Sequence, residues 1–378
     1  MRSFIYIIIF FAFFDLFAQL PIMSPFAVSL GATPFLAGLA VGMYSLSNIF
    51  GNIVSGVVSD RKGPYAILVF GLLATGIVLF SYSLSTGPYS LLAIRFFHGL
   101  AAGLTVPAAF TYLANRTDHS RRGKSAAVSG AFVGLAAIVG PAYGAIFASR
   151  SSVEQTMSFT GTLLAVLGVL AFFALKGQTI KKEPQSSKPL AFSDMIRNRG
   201  LLQSFTGAFF LMFSQGVLAY MLPLKVEELG FESEMSGLLL STFGIAAILV
   251  FLLPVNRLFD KIRPLHTLFA GFILMGLSLF LLSGSSSALG MYSIMCTYGI
   301  GFAFLFPSIN SLLIDSTEAE SRGRAYGYFY AFFSLGVVAG SSFTGALALS
   351  ADQGFAVTGG LLGAVAAAVA LIEKKKRQ

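Results

Sequence analysis

The chain has 378 residues, of which 56% are hydrophobic and only 11% charged, and its mean hydropathy is +0.80. A soluble domain carries about a quarter charged residues, so this composition excludes an ordinary soluble enzyme, a disordered tail and a coiled coil, and makes lipid the natural solvent. A single cysteine, Cys296, and three scattered histidines, His98, His119 and His266, supply neither a disulfide framework nor a metal motif, and the residues call for no cofactor.

Apolar runs of about 20 residues are long enough to cross a bilayer as helices. Twelve occur in chain order: 3–27, 36–58, 65–86, 88–114, 124–148, 155–176, 200–225, 234–256, 264–284, 287–314, 323–349 and 353–372. The first begins like a secretion signal, with Arg2 before an apolar run. Asp15 and Gln19 interrupt it, and no small-residue cleavage site follows, so it counts as the first span. The expected fold class is an all-α membrane protein of twelve transmembrane helices. The longest polar segment, 177–199, holds Lys181, Lys182, Pro184 and Pro189. It reads as a cytoplasmic linker, with a short interfacial helix near 192–197, between an N-terminal six-helix bundle (1–176) and a C-terminal bundle with a basic tail (200–378).

Lysine and arginine collect on the cytoplasmic side of a membrane protein. With the N-terminus inside, the inner segments hold 22 of the 25 basic residues and the outer loops only Arg150 and Lys225; Arg95 lies within a span. Both termini are therefore expected in the cytoplasm. The net charge of +9 is a topology signal and not a nucleic-acid footprint. Short loops and tails point to the plasma membrane of a bacterium, and nothing in the sequence points to an oligomer, so a monomer is expected.

The two halves repeat at an offset of 200. Asp60-Arg61 answers to Asp260-Lys261, Pro64 to Pro264, Gly99 to Gly299, Pro107 to Pro307, Arg122-Gly123 to Arg322-Gly323, Phe132 to Phe332 and Gly140 to Gly340; Gly38-Leu39 answers to Gly237-Leu238 with the offset slipped by one. Six spans per repeat is an even number, so both halves insert with the same orientation. Such parallel repeats leave a seam at the midplane, the architecture of alternating access.

Three stretches resemble signatures of the major facilitator superfamily. Gly56, Asp60, Arg61 and Gly63 are similar to its loop signature G-x-x-x-D-R-x-G between helices two and three. Arg95, Gly99 and Gly103 are similar to the fourth-helix R-x-x-x-G-x-x-x-G. Gly140, Pro141 and Gly144 resemble the fifth-helix G-P-x-x-G of its drug:proton antiporters. The resemblance covers the whole chain and implies two six-helix bundles, with the arginine at 95 aiding proton exchange. The sequence departs from the antiporter pattern at Ala136 and Ala145, where glycines are usual, and at His98, where glutamine is frequent; Gly130 and Gly134 supply small residues nearby.

The residues themselves carry the chemistry. Asp15 lies about twelve residues into the first span, about 18 Å deep in a core about 30 Å thick. A carboxylate there is costly and marks a functional position. Burial disfavours its charge and a neighbouring cation favours it, so a balanced carboxylate can load and release a proton. Arg95 is the one basic residue well inside a span, and parity favours Asp15 as its partner, directly or through water. His98, at i+3 from Arg95, offers proton exchange near neutrality. Asp60, Arg61, Arg122 and Asp260, with Gly56 and Gly63 for close packing and a tight turn, are the expected inner gate. Gly130, Gly134, Gly140 and Gly144 allow close helix approach, and Pro141 a kink. Gln19, Tyr44, Asn48, Gln215, Tyr298, Asn310, Tyr326 and Tyr330 are the polar and aromatic positions expected to line the substrate cavity. Such a lining suits an apolar or amphipathic solute, cations included, better than a phosphate or dicarboxylate.

The leading expectation is a non-enzymatic secondary transporter, proton-coupled and exporting drug-like or amphipathic small molecules. A proton-coupled importer of a sugar or organic solute and a lipid or glycolipid flippase stand as alternatives on the same scaffold. No Walker sequence appears to support direct use of ATP.

Overall fold

The computed structural model of the chain describes residues 2–116, 122–176, 192–252, 264–317 and 322–377. These form helices α1 (Arg2–Ala18), α2 (Met23–Ser29), α3 (Pro34–Lys62), α4 (Pro64–Phe80), α5 (Pro88–Asn115), α6 (Arg122–Arg150), α7 (Val153–Ala174), α8 (Phe192–Arg197), α9 (Arg199–Glu228), α10 (Glu234–Leu252), α11 (Pro264–Gly284), α12 (Ala288–Asp315), α13 (Arg322–Ala346) and α14 (Ala351–Arg377), with one 3₁₀ turn, Ser81–Leu84, after α4. No strand occurs among the described residues. Ten helices there are long and apolar enough to cross a bilayer, and the bent pair α1–α2 makes an eleventh. The predicted span 234–256 coincides with α10, and its last residues lie outside the described ones.

Local chemistry sets the helix ends. Thr33 caps α3 by accepting from Leu36 N, and Pro34 at the first helical position donates no bond that is needed there. Gly63, at φ +83°, turns α3 directly into α4, where Pro64 again occupies the first position. Ser152, Asn198 and Ser287 cap α7, α9 and α12 through their side-chain oxygens. The predicted first span is not one rod. Helix α1 stops at Ala18 and α2 starts at Met23 after a bend of 46°. Pro21 has no N–H to continue the ladder, and the carbonyl of Gln19 accepts from both Ile22 N and Met23 N instead.

Outward faces stay apolar because their solvent is hydrocarbon. Phe70 and Ile77 on α4, and Leu277 and Phe280 on α11, are examples, all well exposed.

The chain divides into two compact units, 1–185 with 233–238, and 186–232 with 239–378. In the first, α1 packs on α6, α3 on α5, and α4 on both α5 and α7; in the second, α9 packs on α13 and α12, and α11 on α12 and α14. The glycines of the sequence repeat make matching contacts within each unit. A Cβ on Gly99 would overlap the carbonyl of Tyr44, and one on Gly299 the carbonyl of Phe243. Gly140 and Gly340 press in the same way on Phe14 O of α1 and Phe213 O of α9. Backbones approach this closely only where a helix face carries no side chain.

Candidate functional site

The first unit buries a polar cluster on α1, α3, the 3₁₀ turn and α5. Asp15, Arg95 and His98 are 1%, 3% and 0% exposed. Asp15 makes no direct bond with Arg95 among the described residues. Its Oδ2 lies 3.0 Å from His98 Nε2, while its Oδ1 is buried with no hydrogen-bond partner among the described residues. Arg95 is held by neutral acceptors instead: Ala40 O at 2.7 Å, Val41 O at 3.0 Å, Gln19 Oε1, and Tyr82 Oη at 3.4 Å. Main-chain carbonyl and side-chain amide oxygens satisfy a guanidinium fork without needing a carboxylate.

The break after α1 explains how Gln19 reaches Arg95. Its backbone has just left the helix, and its amide spans two partners, with Nε2 donating to Asp15 O at 3.2 Å and Oε1 accepting from Arg95. Tyr44 packs edge-on to the His98 ring at 4.9 Å, with the Arg95 guanidinium 5.1 Å over its own ring. Tyr44 and Gln19 are thus part of the buried network. Sequence reasoning missed Tyr82. It is fully buried, and its hydroxyl lies 3.0 Å from His98 Nδ1.

The remaining polar positions of the first unit serve packing. Asn48 Nδ2 donates to Gly99 O at 3.2 Å, and Asn52 Nδ2 to Asn48 Oδ1. Of the fifth-span glycines, Gly140 and Gly144 meet α1: a Cβ at Gly140 would lie 2.8 Å from Phe17 Cβ, and one at Gly144 would overlap Ala18 O. A Cβ on Gly130 would meet nothing within 4 Å among the described residues. Gly134 is half-buried in α6. Helix α6 runs unbroken through Pro141. Gly56 also faces open space, so of the two loop-signature glycines only Gly63, with its positive φ, has a steric requirement. The backbones of Asp60 and Arg61 end α3 and that of Arg122 begins α6, but their side chains, and all of Asp260, lie outside the described residues.

The second unit repeats the positions without the charges. At the offset of 199 that the early helices of each half follow, Asp15 becomes Ser214 and Gln19 becomes Leu218; at 200, Tyr82 becomes Leu282, Arg95 becomes Met295 and His98 becomes Tyr298. Tyr298 is fully buried, with its hydroxyl 2.9 Å from Ser214 Oγ and its ring against Phe243. Gln215 Nε2 is buried without a hydrogen-bond partner. Asn310 Nδ2 turns back to Phe306 O, while Tyr326 and Tyr330 stack at 6.3 Å with Tyr330 half exposed. Lys225, assigned to an outer loop by the charge count, lies instead in the last turn of α9. It is buried there, paired with Asp352 and donating to Ser283 O at 3.1 Å.

Comparison with known proteins agrees with this architecture. A sequence profile described as Major Facilitator Superfamily matches residues 5–341 and 204–378. The chain is similar to the multi-drug resistance efflux pump PmrA of Streptococcus pneumoniae, with 25% identity over 85% of this chain and 82% of that one. It is also similar to the multidrug resistance protein MdtG of Escherichia fergusonii, with 27% identity over 89% and 84%. Among solved structures, the nucleoside transporter NupG superposes with a TM-score of 0.79 over 99% of each chain at 14% identity, a likeness of fold. Twin helical units built on one repeated pattern, with a profile match over nearly every residue, place the chain among multi-pass membrane transporters: it belongs to the major facilitator superfamily.

Proposed function

We propose that this transporter couples export of drug-like or amphipathic small molecules to the inward movement of protons, by alternating access of two bundles, 1–176 and 200–378, joined by the linker 177–199. The observation that carries the reading is the Asp15–His98 pair, which is buried, hydrogen-bonded at 3.0 Å and left with one free carboxylate oxygen. A proton arriving there neutralises a charge that is costly to keep in the membrane. A cationic or polar group of the solute competes for the same carboxylate, so loading with one favours release of the other.

The charge distribution supports assigning proton work to the first unit, since the corresponding positions of the second carry Ser214, Met295 and Tyr298. Aromatic surfaces such as Tyr326 and Tyr330 suit a solute with a flat apolar body. Drug export fits the multidrug-resistance names of PmrA and MdtG. In this reading the protein works as a monomer in the cell membrane with both termini in the cytoplasm, and the signature around Asp60, Arg61, Arg122 and Asp260 closes its inner side.

The test is reconstitution in liposomes holding a pH dye, under an imposed proton gradient, against lipophilic cations, neutral drugs, sugars and amino acids. Lipophilic compounds should trigger proton movement and the others should not. Proton movement triggered by sugars or amino acids alone would overturn the export reading.

A further inference from the structure

The Asp15–His98 pair continues through a side chain that the proton-coupling reading does not use. Arg95 Nη1 lies 3.4 Å from Tyr82 Oη, Tyr82 Oη 3.0 Å from His98 Nδ1, and His98 Nε2 3.0 Å from Asp15 Oδ2. Donor counting fixes the direction of these bonds. Arginine only donates, an ionised carboxylate only accepts, and a neutral imidazole does one of each. With Asp15 ionised, His98 must carry its proton on Nε2 to donate to Oδ2. Its bare Nδ1 then accepts the Tyr82 O–H, and the Tyr82 oxygen accepts from Arg95. Every bond points toward Asp15.

Adding one proton reverses the chain. A hydrated proton gives H⁺ to the Tyr82 oxygen and leaves as water. The original Tyr82 proton passes to His98 Nδ1, and the Nε2 proton passes to Asp15. The product is a neutral carboxylic acid donating to bare Nε2, with Nδ1–H donating back to Tyr82. One proton enters, no charge is left on His98 or Tyr82, and only the histidine tautomer has changed.

We propose that Tyr82 is a relay residue: it passes protons between the α4–α5 connection and Asp15 through His98, whose Nε2–H tautomer the ionised carboxylate fixes. The inference rests on the reading of Asp15 as the coupled carboxylate. Three observations support it. Tyr82 is fully buried, yet it sits in the 3₁₀ turn next to exposed Ser83 and Leu84, so its hydroxyl lies close to the end of the helix that the charge pattern assigns to the outer side. Arg95 is clamped by Ala40 O, Val41 O and Gln19, so it presents Nη1 to the tyrosine from a fixed place. The repeat replaces Tyr82, Arg95 and His98 together, by Leu282, Met295 and Tyr298. The titratable and charged groups facing the relay are Asp15 from α1, Tyr44 from α3, and Arg95 and His98 from α5; α7, packed on the same turn, has Glu154 as its one titratable side chain.

The test uses the full-length protein in bilayers with ¹⁵N-labelled histidine, His98 being assigned by loss of its signal in His98→Asn. Wild type should show Nε2–H with bare Nδ1 when Asp15 is ionised, and Nδ1–H when Asp15 is protonated, followed by the carboxylic C=O infrared band that Asp15→Asn removes. Tyr82→Phe keeps the ring and deletes the hydroxyl. It should keep the Nε2–H tautomer, which ionised Asp15 fixes, and slow the growth of the Asp15 band after an acid jump at least tenfold. An Nδ1–H tautomer in wild type with Asp15 ionised would overturn the proposal without any variant having to fold. So would a folded Tyr82→Phe protein with a rate within twofold of wild type. Failure of the coupling reading itself looks different: the tautomer and relay results hold, but Asp15→Asn still moves protons with solute.

Discussion

Asp15 Oδ2 accepts from His98 Nε2 at 3.0 Å, while its second oxygen is buried and unpartnered. A buried carboxylate with one satisfied and one open oxygen is under-solvated by several kcal/mol in general terms. In the proposed cycle the open oxygen is where the transported solute's polar group competes with the proton.

Arg95 should resist replacement even by lysine. Its fork reaches four acceptors: two on α3, one at the α1–α2 break and one in the 3₁₀ turn. A lysine offers three donors from one point and cannot reproduce that spread. Arg95→Lys should lower stability by about 2–3 kcal/mol, measured by thermal unfolding in detergent. A melting temperature equal to wild type would refute the clamp.

The α1–α6 contact makes a sharper steric prediction. Gly144→Ala places a methyl in the carbonyl of Ala18, whereas Gly130→Ala meets open space. Overpacking of this kind costs about 1–3 kcal/mol, so Gly144→Ala should reduce folded yield and thermal stability while Gly130→Ala leaves both near wild type. Equal behaviour of the two variants would show that α6 does not press on α1 at this point.

Lys225 is buried, but its partner Asp352 is 60% exposed at the side chain. Asp352→Ala leaves the ammonium with Ser283 O as its remaining described acceptor and should destabilise by about 1–2 kcal/mol. Replacing both residues, Lys225→Met with Asp352→Ala, should recover most of that loss, since an apolar side chain suits the site once the charge is gone. Chemical unfolding of the single and double variants reads this directly. A double variant as weak as Asp352→Ala would contradict it.

Gln215 follows Ser214, the counterpart of Asp15 in the repeat, and its Nε2 lacks a partner among the described residues. Gln215→Leu removes a buried unsatisfied donor and should be neutral or stabilising by about 1 kcal/mol. It should leave proton coupling intact in the liposome assay. Loss of coupling in this variant would mean that the second unit shares the proton work.

Much of this was legible in the sequence because it depends on periodic or counted quantities. Apolar length located the spans, and the repeat at 200 foretold that Gly99 and Gly299, like Gly140 and Gly340, make matching contacts. Asp15 and His98 stood out because titratable groups are rare in apolar runs. Pairing was not legible. Arg95 prefers carbonyls exposed by helix geometry, which no residue spacing encodes, and the break at Pro21 that frees Gln19 looks in sequence like any proline near a helix end. Tyr82 was hidden because tyrosine near the end of a span is ordinary interfacial chemistry. Its joint replacement with Arg95 and His98 in the second repeat was the available signal. Lys225 looked external because the span was ended at the first charge, although α9 continues to Glu228. Gly56 matched a signature by spacing, yet space around a glycine is a property of the packed fold.

The central claim, that Asp15 carries the coupled proton, is tested most directly by comparing wild type with Asp15→Asn in liposomes, using a lipophilic cation that wild type exchanges for protons. The amide keeps the shape of the carboxylate and cannot take up a proton. Solute-triggered proton movement should fall at least tenfold, while the solute still binds to the variant. Proton movement in Asp15→Asn at the wild-type rate would contradict the account.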